Sequence, residues 1–155
     1  MPSPLGPLTL LVSAQGVRAI RFGNVPGPMN ARDAEAPTAA LARQLEEYFR
    51  QERQSFDLPL DLDGTPFQQR VWAALCAIPY GATASYADIA RAIGQPAACR
   101  AVGGANRRNP VPILVPCHRV VGADGSLTGY AGRTGLAMKA TLLELERVAS
   151  TRRVA

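Results

Sequence analysis

Apolar residues recur with two different periods along the first part of the chain, and each period predicts a different element. Leu8 to Ser13 and Val17 to Phe22 are short β-type runs separated by three turn-forming residues, which predicts a hairpin. From Thr38 the apolar positions follow helical spacing instead. Phe56 to Leu62 predicts one strand, weakened by an internal proline. Residues 1–63 are therefore expected to form a small α/β domain without visible chemistry.

Helix-start signals are strongest at two places in the second part of the chain. Thr65 can cap a helix that has Pro66 at its first position, and Gln68 completes a capping box. Ser85 and Asp88 repeat the same spacing. We therefore expect one helix after each cap, and residues 64–155 form a second, mainly helical domain.

Two short helices separated by a tight turn predict a helix-turn-helix. The helix that begins at Ser85 is stopped by Gly94, and another is expected over Ala97 to Asn106. Many helical hairpins of this shape bind nothing, so the pattern alone is weak support for DNA binding. Composition strengthens it, because Arg100 is the sole charge on a slim second helix made mostly of small residues: Ala98, Ala101, Val102, Gly103, Gly104 and Ala105.

The end of the chain predicts buried strands followed by a helix. Val111 to Val115 is an apolar run typical of a buried strand, and Arg119 to Gly122 predicts a second strand. A turn and a glycine-rich lip, Gly129 to Gly132, come next, and a helix with a wide apolar face is expected over Leu136 to Ala149. The overall fold class is α/β (α+β).

Composition narrows the class of protein. The chain has 155 residues, of which 47% are hydrophobic, and it contains no run long enough to span a membrane. Its start lacks the features of a signal peptide, so we expect a cytoplasmic protein. The net charge of +5 permits a polyanionic partner. Three widely spaced cysteines fit reduced thiols, and a single histidine without a Cys-x-x-Cys pair favours neither a zinc site nor any other metal site.

Cys117 is the candidate nucleophile, because the only histidine of the chain follows it directly and Arg119 comes next. A thiolate is the reactive form of cysteine, and it requires a base or a positive field nearby. His118 and Arg119 offer one of each. The alternative is a core cysteine beside a buried histidine.

Several motifs together resemble the O6-alkylguanine-DNA alkyltransferases, also called methylated-DNA-protein-cysteine methyltransferases. The resemblance covers nearly the whole chain, including Ser3 to Leu8 and the early hairpin. The motifs that carry it are Gly64 to Phe67, Ser85-Tyr86, Arg100-Ala101-Val102-Gly103, Asn109-Pro110, Pro116-Cys117-His118-Arg119-Val120, Gly129-Tyr130 and Leu142 to Glu146.

The resemblance implies DNA repair in which Cys117 takes the alkyl group from O6 of a guanine, once per molecule and without a cofactor. A water passes the thiol proton to His118, Glu146 orients the imidazole ring, and Asn109 braces the surrounding turn. Adjacent side chains on a strand face opposite ways, which is why a bridging water is expected. By position alone, Glu146 would be a solvated charge.

The resemblance also implies a DNA-binding mode. The helix that carries Arg100 enters the minor groove of double-stranded DNA, and Arg100 takes the place of the flipped base. Tyr86 rotates the phosphate and donates a proton to the leaving guanine. Small residues of the helix, Ala98, Ala101, Gly103 and Gly104, line the groove contact. Tyr130 walls the base pocket, together with backbone groups near Val120, Ala131 and Gly132.

Two departures and two alternatives stay open. The segment between Tyr130 and Lys139 is about two residues longer than the family pattern, and Cys99 replaces a smaller residue beside Arg100. One alternative is a lesion-binding relative without transfer activity, against which Cys117 argues. The other is a cysteine hydrolase, which would need an oxyanion hole. Whether O4-alkylthymine is accepted is left open, and the protein is expected to act as a monomer.

Overall fold

The chain forms two compact units in a computed structural model that describes residues 1–26, 35–129 and 132–154. The first unit is Met1–Asp63 with Pro110–Pro112, and the second is Gly64–Asn109 with Ile113–Ala155. The mixed α/β fold class predicted from the sequence is confirmed, with strands in both units and most of the helix in the second.

The described part of the first unit is a two-stranded antiparallel sheet with one helix. Strands β1 (Leu8–Ser13) and β2 (Gly16–Phe22) pair as the predicted hairpin, with a register shift after Leu11. Helix α1 spans Glu35–Phe49 and so begins three residues before the expected start. The buried side chains of this unit come from both element types: Leu8, Val17, Ile20, Leu41, Leu45 and Tyr48.

The strand predicted over Phe56 to Leu62 is wrong. Only Leu60 makes a β-bridge, to Val17, and the Val17 N–H donates to the Pro59 carbonyl over 2.8 Å. Pro59 has no N–H of its own, so the ladder cannot extend through it. Gly16 permits this close approach, since a Cβ atom there would lie 2.3 Å from the Pro59 carbonyl oxygen.

The described residues of the second unit form four α-helices and a minimal parallel sheet. Helix α2 spans Pro66–Cys76, β3 Ala84–Ser85, α3 Tyr86–Ala92, α4 Cys99–Arg107, β4 Val120–Val121 and α5 Gly132–Val154. Both predicted capping boxes are present, at Thr65 and at Ser85. β3 pairs with β4 in parallel. The structure begins α4 later than predicted and extends α5 beyond both predicted ends.

Helices α3 and α4 form the predicted helix-turn-helix. Gly94 ends α3 with φ of +74°, a backbone conformation that favours glycine. The Gly94 N–H donates to the Arg91 carbonyl over 3.0 Å, and the chain enters α4 five residues later. Together with α2, these two helices pack around buried Val71, Ile89 and Val102.

Of the two strands predicted around Cys117, the first is wrong and the second is present in shortened form as β4. Val111 to Val115 is buried but turns at Ile113, whose φ is +78°. A 3₁₀ turn covers Cys117–Arg119, and only the two residues of β4 are extended after it. Cys117 and His118 therefore lie on a turn, where side chains do not alternate between two faces as they do along a strand.

None of the helices within the described residues is both long and apolar enough to cross a membrane.

Candidate active site around Cys117

Cys117 lies at the start of the 3₁₀ turn and is 4% exposed. Its N–H donates to the Val115 carbonyl over 2.8 Å. Its carbonyl oxygen accepts from the Asn106 side-chain amide at 3.5 Å, which ties the turn to helix α4. The backbone of the nucleophile is therefore held from two sides in a desolvated setting.

His118 is fully buried and contacts Glu146, although 28 residues separate them in sequence. Its Nε2 lies 2.7 Å from the Glu146 Oε1 atom, while its Nδ1 has no hydrogen-bond partner among the described residues. Burial lowers the pKa of His118, although the Glu146 hydrogen bond opposes this. A neutral ring with the proton on Nε2 donates to Glu146 and leaves the Nδ1 lone pair to accept a proton.

Glu146 is 1% exposed, so its side chain is a buried partner rather than a solvated charge. Burial alone would raise the pKa of the carboxyl, but hydrogen bonds from His118 and Arg119 lower it to about 2. Its Oε2 atom also accepts from the Gly81 N–H at 3.3 Å. The carboxylate stays ionised and is fixed beside the imidazole ring.

Arg119 is buried and forms its side-chain hydrogen bonds with Glu146 and with the backbone. Its Nε and one terminal nitrogen each donate to a different Glu146 oxygen over 2.9 Å. Its other terminal nitrogen donates to the Ile78 carbonyl over 2.7 Å. Arg119 and Glu146 thus form a buried bidentate ion pair.

Lys139 is a buried cation that interacts with Cys117, and sequence reasoning missed it. Its side chain is fully buried, and its ammonium donates to the Val120 carbonyl and, over 2.8 Å, to the Thr128 carbonyl. Burial lowers the pKa of Lys139, and the charge of Cys117 opposes that shift. The sequence does contain a signal for a special role of this residue, because Lys139 is the single lysine in a chain whose other cationic side chains are arginine, His118 apart.

Two asparagines hold the turn that leads to Cys117. The Asn109 side-chain amide donates to the Val115 carbonyl over 2.7 Å, so Asn109 spans the turn it was expected to brace. Asn106, which the sequence did not single out, is 2% exposed, and its Oδ1 has no hydrogen-bond partner within the described ranges. A polar side chain on the otherwise apolar buried face of α4 was the available signal.

Tyr86 lies at the start of α3 and contacts the segment before the lip. Its hydroxyl donates to the Thr128 carbonyl at 3.2 Å and accepts from the Thr128 hydroxyl at 3.3 Å. Gly129 makes this approach possible, because a Cβ atom there would lie 3.0 Å from the tyrosine oxygen. Tyr86 and Lys139 therefore meet at one residue, Thr128.

Helix α4 presents an open face of small residues with exposed Arg100. No ion-pair partner for Arg100 occurs among the residues described. A Cβ atom built on Gly104 meets no atom within 4 Å, and one on Gly103 meets only the Tyr86 ring, at 3.8 Å. Packing within the unit does not explain these glycines. Ala98 is the N-cap of the helix and Ala101 is exposed on it.

Part of the predicted base pocket lies outside the described residues, namely Tyr130 and Ala131. Gly132 is the first residue of α5. The Val120 N–H donates to the Cys117 carbonyl, and the Val120 carbonyl accepts from Lys139. A carbonyl oxygen has two lone pairs, so the Val120 oxygen can still accept from a bound base.

Cys76 and Cys99 are thiols that lie at helix ends, Cys76 at the end of α2 and Cys99 at the start of α4. Across the described ranges, no group of three or more His, Cys, Asp or Glu side chains could hold a metal ion. The chemistry available at the site is that of a buried thiol, a neutral imidazole and an ionised carboxylate.

Comparison with known families gives two matches that together cover most of the chain. The first is described as 6-O-methylguanine DNA methyltransferase, ribonuclease-like domain, over residues 1–62. The second is the DNA binding domain of the same family, over residues 66–148.

Curated relatives agree with this assignment. The chain is 48% identical over 148 residues to the methylated-DNA–protein-cysteine methyltransferase of Methanosarcina barkeri, covering 93% of this chain and 92% of the relative. It is 58% identical over 120 residues to the constitutive enzyme of that name from Bacillus subtilis, covering 77% of this chain and 72% of the relative.

Solved structures are similar over the same length. Mycobacterium tuberculosis OGT in complex with DNA has a TM-score of 0.85 and 46% identity, covering 96% of this chain and 91% of that one. The O6-methylguanine methyltransferase structure from the same organism has a TM-score of 0.83 and 47% identity, covering 96% and 91%.

Proposed function

The chain belongs to the 6-O-methylguanine DNA methyltransferase family, and we propose that the sulfur of Cys117 is its alkyl acceptor. The protein is a DNA repair enzyme that transfers an alkyl group from O6 of guanine in DNA to one of its own cysteines. Because a thioether is not hydrolysed, each molecule reacts once.

The reaction is a direct displacement at the alkyl carbon. The bond between that carbon and guanine O6 breaks as the bond to the Cys117 sulfur forms. The thiol proton passes through a water to His118 Nδ1, and the leaving guanine takes a proton from the Tyr86 hydroxyl. Proton return from His118 through solvent restores the tyrosine, so atoms and charge balance.

The observation that carries this proposal is the buried pair next to the nucleophile. The Nε2 atom of His118 is held at 2.7 Å from Glu146, while Nδ1 is left without a partner among the described residues. A core histidine that serves structure alone would satisfy both nitrogens. Here one nitrogen is oriented and the other can accept a proton, which is the arrangement of a general base.

DNA is the partner, and we assign its contact to helix α4. The open face at Gly103 and Gly104 gives a backbone room to approach closely, and Arg100 projects from the first turn of the same helix. Entry of this helix into the minor groove would let Arg100 fill the space of the flipped base. Tyr86 must then exchange Thr128 for the lesion as its hydrogen-bond partner.

The remaining assignments follow from the same site. Residues 64–155 carry the acceptor and the DNA contact, whereas residues 1–63 carry no candidate chemistry. Val120, Tyr130, Ala131 and Gly132 form the base pocket, and Asn109 braces the turn that precedes Cys117. The protein acts as a monomer in the cytoplasm, where a reducing environment keeps Cys117 a thiol.

Titration with double-stranded DNA that carries radiolabelled O6-methylguanine tests the proposal. We expect one equivalent of label per protein, on the peptide that contains Cys117. Cys117→Ser should bind lesion DNA but take no label, while Cys99→Ser, a matched change on the DNA-facing helix, should be labelled normally. Binding without transfer would instead indicate a lesion-recognition protein. Continuing release of methylated product would indicate a hydrolase, and either result would overturn Cys117 as the acceptor.

A further inference from the structure

Arg119 is a buried cation to which the proposed reaction gives no role. Its side chain is 7% exposed, and all three guanidinium nitrogens donate to the surrounding protein. Two of them grip Glu146 and the third anchors to the Ile78 carbonyl. The guanidinium also lies over the Tyr80 ring, 5.6 Å from its centroid. Because these contacts fix the guanidinium, it can determine the position of the Glu146 carboxylate that it binds.

We propose that Arg119 is a positioning residue that locks Glu146 and thereby keeps His118 uncharged, with its Nδ1 atom available to the Cys117 proton. This inference rests on the proposed function, since it concerns the base of that same reaction. The resemblance implies a catalytic group of Cys117, His118 and Glu146. Arg119 is a fourth member of this group, and it touches neither the sulfur nor the substrate.

The first argument is geometric. Glu146 Oε1 accepts from His118 Nε2 and from one terminal nitrogen of Arg119, and Oε2 accepts from Arg119 Nε and the Gly81 N–H. Four donors occupy two oxygens, so the carboxylate cannot rotate without losing several of them. A lysine in place of Arg119 would supply a charge but no planar fork.

The second argument concerns charge. The groups that face the imidazole are Glu146 and Lys139 from α5 and Arg119 from its own turn. Arg119 balances the carboxylate, and both its charge and that of Lys139 act to lower the pKa of His118. Without Arg119, the ring would face an uncompensated anion and would hold a proton more readily. A protonated ring cannot accept the proton of Cys117.

Helix α5 offers a matched control on its exposed side. Arg147 grips Glu144 with the same fork, at 2.8 Å from Nε and 2.7 Å from a terminal nitrogen. Both side chains are more than half exposed. This pair has the chemistry of the Arg119 pair without its burial or its contact with histidine.

Nuclear magnetic resonance tests the proposal, because the chain contains one histidine and therefore one imidazole signal set. In the intact protein near neutral pH, we expect a neutral ring with its proton on Nε2. The Arg119→Met variant should titrate its imidazole at higher pH, and its transfer rate should fall with an acid limb displaced in the same direction. Arg147→Met should match the unmodified protein in both measurements.

The Arg119→Lys variant keeps the positive charge but removes the planar guanidinium, so it separates the effects of the two. It also tests the proposal if Arg119→Met does not fold. We expect its imidazole to titrate as in the unmodified protein, while the transfer rate falls about tenfold or more. A charged imidazole in the unmodified protein at neutral pH would overturn the proposal, as would an Arg119→Lys rate equal to the unmodified rate. If the unmodified protein took no alkyl group, the proposed function would fail, and the imidazole titrations would still decide the role of Arg119.

Discussion

The indole N–H of Trp72 donates a 2.9 Å hydrogen bond to the carbonyl oxygen of Ala105. Trp72 belongs to α2 and Ala105 to the second half of α4, so the helix proposed to contact DNA is fastened to its neighbour. The Trp72 ring also fills the space above Gly64, where a Cβ atom would lie 2.5 Å from it. The orientation of α4 therefore depends on a buried hydrogen bond to α2.

Replacing Trp72 with phenylalanine should destabilise the protein by about 2 kcal/mol, from a lost hydrogen bond and an incompletely filled core. Urea unfolding measures this directly. The transfer rate with duplex substrate should fall more than the rate with free alkylated base, because only the duplex requires α4 to be correctly placed. Equal loss with both substrates would contradict the positional role of the contact.

Arg100→Ala should lose reaction with double-stranded DNA and retain some reaction with the free alkylated base, because only a base inside the duplex needs its place filled after flipping. Single-turnover rates with the two substrates provide the comparison. Arg70→Ala, which removes an exposed arginine from α2 instead, is the control for the loss of one positive charge. A parallel decrease with both substrates would refute the flipping role of Arg100.

Lys139→Met should slow alkylation of Cys117, because it removes the cation that interacts with the sulfur and frees the Val120 and Thr128 carbonyls. Reaction with iodoacetamide, followed by mass spectrometry of the Cys117 peptide, should require higher pH than in the unmodified protein. Lys139→Arg keeps the charge and should shift less. The same pH dependence in all three proteins would show that the ammonium does not act on the thiolate.

The free energy of unfolding should fall as the pH is lowered, first where His118 takes up a proton and then where Glu146 does. The pKa of His118 is lowered by burial below its ordinary 6.5, so the folded state binds fewer protons and stability declines below that value. For Glu146, burial would raise the pKa, but hydrogen bonds from His118 and Arg119 bring it from 4.5 to about 2. This stabilises the folded protein by about 3 kcal/mol above pH 4.5, and the stabilisation is lost as pH falls toward 2.

Urea unfolding at several pH values between about 8 and 2 measures this dependence. Glu146→Gln should flatten the lower part of the curve, whereas Glu144→Gln, on the exposed side of the same helix, should leave its shape unchanged. An unmodified protein whose stability did not change over this range would contradict the described ionisation of the buried pair.

Elements that are specified locally could be predicted from the sequence. The helix starts at Thr65 and Ser85 were predictable because each capping box is completed within three residues. The stop at Gly94 was predictable because glycine tolerates the left-handed backbone that ends a helix there. These signals need no knowledge of the tertiary fold.

The path of the chain before Cys117 could not be predicted in the same way. Val111 to Val115 has the composition of a strand, yet Ile113 adopts a left-handed backbone and Asn109 bonds across the turn to Val115. Tertiary contacts override local β preference here. The pairing of Arg119 with Glu146 could not be predicted for a related reason, since Glu146 lies 27 residues away and only the fold brings the two together.

The buried ammonium of Lys139 donates hydrogen bonds to the carbonyls of both Val120 and Thr128, and this has a kinetic consequence. A catalyst that recycles must loosen its pocket after every reaction, and a stiff wall would slow that step. Here the transferred group remains on the protein, so no later cycle depends on reopening the site. A rigid pocket around the sulfur can therefore speed the reaction without slowing a later step. An enzyme that turns over must also release its product, so it cannot use such a rigid pocket.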